Sequence, residues 1–109
     1  MAYDEGYAQL LRDDLADVHG ISEKIMFGGL CFLFHGHMLC GVSGKGQMFR
    51  IGKSREAEAR AIAGAGPMQF TGRPMGGMID VTEEAFQDDE RRNAWLTLAL
   101  ANARALPPK

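Results

Sequence analysis

The sequence is poor in several things at once. It has only two cysteines, Cys31 and Cys40. Two are too few for a disulfide scaffold, and they fit a reducing compartment. Its apolar runs, such as Leu30 to Phe34, fall far short of the roughly 20 residues that a membrane-spanning helix needs. The opening MAYDEGYAQLLRDD is acidic and polar, with neither the basic nor the apolar region of a secretory leader. These absences set an expectation of a cytoplasmic protein with no membrane partner. No internal repeat, low-complexity tract or linker interrupts the chain, so residues 1–109 read as a single domain. A composition 46% hydrophobic and 24% charged is that of a globular protein.

A dense basic stripe is also missing. The net charge is −2, although residues 45–74 hold six bases (Lys45, Arg50, Lys53, Arg55, Arg60, Arg73) against Glu56 and Glu58. A solvated surface is the simpler reading of that segment. Direct DNA binding through it predicts an affinity that falls steeply with salt, but no recognition-helix signature accompanies the charge.

Strand-like Phe49-Arg50-Ile51 followed by Gly52-Lys53-Ser54 resembles the end of a phosphate-binding loop. The full pattern places its first glycine at position 47, which is glutamine, and the intervening Met48 to Ile51 prefer an extended chain. Nucleotide hydrolysis is therefore not expected. Gly52 breaks a strand, Lys53 is solvated and Ser54 is expected to cap a helix.

Periodicity supplies the fold. Tyr7, Leu10, Leu11, Leu15 and Val18 recur at helical spacing, with Gly20 past the end. A short extended piece, residues 25–29, precedes strands at 30–34, 38–42 and 47–51. His35-Gly36 suits a two-residue hairpin turn. A helix over 55–63, strands at 68–70 and 78–81, and a last helix opening near Thr82 and Asp88 complete the order α-β-β-β-α-β-β-α. The expectation is an α+β two-layer sandwich with an antiparallel sheet of about five strands covered by helices.

Counting outward from His35-Gly36 pairs Cys31 with Cys40, which makes them a candidate redox pair or two packed thiols. A zinc site using them with His35 or His37 does not fit strand geometry, so no metal is expected. No nucleophile–base arrangement has a sequence signature, and no catalytic residue or cofactor is expected. The acids Asp13, Asp14, Asp17, Glu83, Glu84, Asp88, Asp89 and Glu90 read as helix-terminal and solubilising charge. Methionines spread through the strands read as adaptable core.

Three stretches in order, Met26-Phe27-Gly28-Gly29-Leu30, His35-Gly36-His37-Met38 and Phe70-Thr71-Gly72-Arg73-Pro74-Met75, with Leu106-Pro107-Pro108-Lys109 at the end, resemble the TfoX N-terminal domain family over nearly the whole chain. The resemblance implies a two-layer α+β domain without known catalytic residues. It also implies a link to transcription and to natural competence, because the family's TfoX and Sxy regulators are thought to work with the cyclic-AMP receptor protein. Those regulators carry a second, helical domain, and this chain is expected to correspond to the N-terminal one alone. Met26, Phe27, Gly28, Gly29, Gly72, Arg73 and Pro74 are the motif residues and the candidate interaction site.

Two readings of function stay open. One is a non-enzymatic regulatory module that binds a protein, such as a component of the transcription machinery, or pairs with itself as a homodimer through strands apolar on both faces. The other is an enzyme or small-anion binder with a site at the Gly28-Gly29 and Gly72-Arg73-Pro74 loops, where glycines allow close approach and Arg73 could clamp an anion.

Overall fold

A computed structural model describes residues 3–26, 28–44, 46–70 and 73–107, with backbone alone at 68–70 and 73–75. Asp4 starts the first helix, α1 (Glu5–Asp14), by accepting the Gly6 and Tyr7 N–H groups on Oδ1 at 2.8 and 3.1 Å. The helix stops at Asp14, earlier than its apolar spacing suggests. Leu15 and Val18 nonetheless continue its packing from the following turns.

The strands are β1 (Ile21–Met26), β2 (Gly29–Phe34), β3 (His37–Ser43), β4 (Gly46–Arg50), β5 (Ala65–Phe70) and β6 (Arg73–Val81). They form a six-stranded antiparallel sheet in the order β1-β2-β3-β4-β6-β5. The sixth strand beyond the expected five is β1. The expectation of an extended piece at 25–29 caught only its end, because Ser22, Glu23 and Lys24 are exposed and give the strand no apolar alternation. Between β4 and β5 lie a single tight turn, Lys53–Arg55, and the short helix α2 (Glu56–Arg60). Ser54 sits in that turn, and no side chain caps α2, which corrects the expected cap. The expected last helix is two. Thr82 caps α3 (Glu83–Gln87), and Asp88 ends it and caps α4 (Asp89–Arg104) by accepting from Glu90 and Arg91 N–H groups.

The architecture is α+β. Helices α1, α3 and α4 cover one face of the sheet. Leu11, Phe86, Trp95, Leu96 and Ala99 meet Phe32, Leu39, Val42, Phe49 and Ile79 in one core. Trp95 is fully buried and satisfies its indole N–H on the Ala59 carbonyl at 3.0 Å, which ties α2 to α4. On the far face Cys31, Met48 and Met78 form a smaller cluster with Met26 and Met38 packed against it. Met48 and Met78 are only 8% and 7% exposed in the single chain, so this cluster does not require a dimer mate to cover it.

Arg92 is the largest charged group inside. It is 2% exposed, and its guanidinium donates to Asp14 at 2.6 Å, to Asp89 at 2.6 Å and to the Phe86 carbonyl at 2.9 Å. It also lies over the Phe86 ring. Replacing Arg92 with leucine should destabilise the protein by about 3 kcal/mol, because it strands the half-buried Asp14 carboxylate. Arg92→Lys should recover only part of the loss, since a point charge cannot reproduce the fork. Urea unfolding midpoints of the two variants check this, and equal midpoints for wild type and Arg92→Leu would refute it.

The Gly28-Gly29 pair separates two reasons for glycine. Gly28 has φ +73° with open space where a Cβ would go, so its demand is conformational. Gly29 has an ordinary φ, but a Cβ there would lie 2.2 Å from the Val42 carbonyl oxygen. Gly28→Ala should cost about 1 kcal/mol, and Gly29→Ala or Gly29→Val more than about 2 kcal/mol. Thermal unfolding of the variants would show that order, and a reversed order would contradict the steric account.

Candidate functional site

The motif Met26-Phe27-Gly28-Gly29 carries the chain from β1 to β2, with Met26 opposite Gly29. Phe27 lies outside the described residues. β1 pairs only with β2, so its outer backbone edge is open. Ile25 stands on that edge at 65% exposure, the one exposed large hydrophobic side chain among the described residues. The sequence reading did not single it out. The available signal was an isoleucine within Ser22-Glu23-Lys24-Ile25, where polar neighbours mark the strand as solvent-facing. The edge is held to α1 by a fork from Arg12 to Glu23, Nε to Oε2 at 2.8 Å and Nη2 to Oε1 at 2.9 Å. That hydrogen bond keeps the Glu23 carboxyl below its ordinary range.

The second motif is placed less fully. Gly72 lies outside the described residues. Arg73 and Pro74 open β6 opposite Phe70 and Gln69, and their side chains also lie outside the described residues. Strands β3 and β4 stand between the β1–β2 loop and the β5–β6 hairpin in the sheet order. Further along β6, Gly77 (φ +82°) accepts the Ile51 and Gly52 N–H groups on its carbonyl and donates its own N–H to Glu56 Oε1 at 3.0 Å. The Gly52-Lys53-Ser54 element is therefore a junction between β4, β6 and α2. Of the basic segment, Arg50, Lys53, Arg55 and Arg60 gather around this junction. Arg60 lies 3.5 Å from Glu56, and Lys45 lies outside the described residues.

His35 and His37 have structural partners. His35 adopts φ +49° in the hairpin turn, and its ring packs where a Gly20 Cβ would be, 2.6 Å from its Cε1. His37 is buried, and its Nε2–H donates to the Pro107 carbonyl, fastening β3 to the segment after α4. Among the described residues, no group of three or more His, Cys, Asp or Glu side chains is arranged to hold a metal ion.

The cysteines do not face one another. Pairing from the turn begins as expected, Phe34 with His37 and Leu33 with Met38, but then a bulge intervenes. Leu39 becomes the extra residue, so Cys40 stands opposite Phe32 and Cys31 opposite Gly41. Leu39 and Cys40 both enter the helix-covered core, whereas Cys31 belongs to the far-face methionine cluster. The Cys31–Cys40 pairing expected from simple counting is corrected accordingly, and both thiols are free and buried. Burial raises both thiol pKa values, Cys40 the more strongly. Since the thiolate is the reactive form, native protein at neutral pH should react with a thiol-specific chromogen at least roughly tenfold more slowly than protein unfolded in guanidinium. Rapid labelling of the native state would contradict this burial.

No helix among the described residues is long and apolar enough to cross a membrane. No curated protein and no solved structure is similar enough to match. A family profile, the TfoX N-terminal domain, matches residues 13–103. That span takes in the last two residues of α1, the whole sheet with both glycine motifs, and nearly all of α4. The chain belongs to the TfoX N-terminal domain family.

Proposed function

We propose that this chain is a non-enzymatic regulatory domain that acts by binding another protein, in the setting of transcription or competence control. Family membership over residues 13–103 carries the reading. The open edge of β1 supports it: an unpaired strand with exposed Ile25 beside the Met26–Gly29 motif is a surface suited to strand addition or to an apolar anchor. The chemistry of this edge favours a different protein over a second copy. Two-fold antiparallel pairing centred on β1 would set Glu23 against Glu23 or Lys24 against Lys24, and like charges directly opposed are unfavourable.

The test is affinity capture with tagged chain from its native cells, run beside Ile25→Glu, together with light-scattering mass. The expected result is a monomer that retains a component of the transcription machinery. Ile25→Glu should reduce that retention roughly tenfold while barely moving the melting temperature. Retention that is indifferent to Ile25→Glu would discard the β1 edge as the contact. A chain that retains only metabolic enzymes would discard the regulatory reading.

A further inference from the structure

Among the described residues, every apolar side chain of the far-face cluster carries sulfur. Cys31, Met48 and Met78 are buried there, and Met26 and Met38 pack against them. The chain holds seven methionines and two cysteines, so more than half of its sulfur lies in this one patch. The larger core on the other face is filled by aliphatic side chains and aromatic rings, with Cys40 its only sulfur. Bulk alone would be served on either face by leucine, isoleucine or valine, which specify a packed core better than methionine does.

Register brings the sulfurs together. Cys31 stands opposite Gly41, and Gly41 opposite Met48, so the two side chains flank a position that has none. A Cβ at Gly41 would lie 2.9 Å from Met48 Cε and 3.2 Å from Cys31 Sγ. Both side chains therefore lean into the gap that the glycine leaves. Met78 sits on the neighbouring strand β6, two residues from the partner of Met48. The Cys31 thiol is 1% exposed, and the acceptor it reaches among the described residues is the Met26 carbonyl, at a distant 4.0 Å. It is a buried thiol without a strong partner, set among thioethers. Met26 and Met38 are half-buried, which leaves the outer wall of the cluster within reach of solvent.

One thiol surrounded by thioethers is a soft donor set. Zinc takes several thiolates, imidazoles or carboxylates, and calcium and magnesium take oxygens, whereas thioether and thiolate sulfur select Cu(I). Charge points the same way. A monovalent cation on a single thiolate is neutral and can sit in a buried apolar patch, but a divalent one would leave an uncompensated charge there. We propose that the Cys31–methionine cluster is a binding site for a soft monovalent metal ion, Cu(I), with Cys31 as the anionic ligand and Met48 and Met78 as thioether ligands. Met26 and Met38 form its entrance. Binding makes a copper–sulfur bond and releases the Cys31 thiol proton to solvent, with no electron transferred. Burial favours the protonated thiol in the free protein, so affinity should rise with pH. The inference rests neither on the regulatory reading nor on the β1 edge.

The experiment offers the full chain Cu(I), kept reduced by ascorbate under nitrogen, in competition with a chromophoric Cu(I) chelator, and follows the methionine methyl resonances in parallel. Stoichiometric withdrawal of copper from the chelator is expected, with shifts at the Met48 and Met78 methyls. Cys31→Ser should weaken binding at least roughly tenfold, and Met48→Leu and Met78→Leu, which conserve volume, roughly threefold or more each. Cys40→Ala removes the other thiol and should leave affinity unchanged. Zn(II) should leave the methyl resonances in place. Melting temperatures establish that each variant is folded. Affinity untouched by Cys31→Ser, affinity untouched by both methionine variants, loss of binding in folded Cys40→Ala, or equal shifts with Zn(II) would each overturn the proposal. Copper held by Cys31 with no response at the methionine methyls is an adventitious thiol adduct only, and overturns it too.

Discussion

The helical layer is organised by one buried cation. Arg92 sits on the first turn of α4, and from there its guanidinium reaches back to Asp14 at the end of α1, to Asp89 beside it and to the last turn of α3 through the Phe86 carbonyl. Taking a guanidinium out of water costs several kcal/mol, and such a site persists only where its donors are matched by acceptors of suitable geometry. Here the match requires α1, α3 and α4 to adopt one mutual arrangement. The apolar core would tolerate a range of helix placements, because Leu, Ala and Phe contacts are not directional. Arg92 narrows that range. Trp95, one turn later, does the same for α2 through the Ala59 carbonyl. His37 anchors the segment beyond α4 to β3. Helix α4 is thus the element to which the other helices and the centre of the sheet are referenced.

The sheet has its own constraint, the bulge in the β2–β3 ladder. An extra residue at Leu39 sends two successive side chains, Leu39 and Cys40, into the helix-covered core. It leaves Gly41 opposite Cys31, where any side chain would crowd Met48 and the Cys31 sulfur. The bulge therefore enlarges the core on one face and keeps the far face thin enough for methionines to fill. It also separates two thiols that simple hairpin counting would bring together.

Most of the fold was legible in the sequence, and what was not has physical causes. Apolar runs at 30–34 and 38–42 announced strands, and His35-Gly36 announced the turn between them. The same runs concealed the bulge. A strand apolar on both faces has no alternation, so a one-residue slip leaves no trace in the pattern. β1 was nearly lost for the opposite reason, since an edge strand made of Ser22, Glu23 and Lys24 looks like a loop. The helix start near Thr82 and Asp88 was readable because capping is a local interaction. Ser54 was misread because Gly52 and Gly77 join β4 to β6 there, a contact between residues distant in the chain. Arg92 could not be distinguished from the exposed charges around it, because its burial depends on Asp14, 78 residues away.

Function was less legible than fold, and the glycine motifs explain part of the difference. Gly28 answers to a backbone angle, Gly29 to the Val42 carbonyl, and Gly77 to a three-way junction of backbone hydrogen bonds. Of these, Gly28 and Gly29 carry the family resemblance, and the backbone angle and the close strand contact that call for them would be needed whatever the domain binds. The features that can bind something lie elsewhere and have no period. Ile25 is a single exposed side chain on an edge that exists only because β1 pairs with β2 alone. A family assignment built on the first set therefore transmits the architecture with more force than the partner. The partner must be read from surfaces that the motif leaves free to differ.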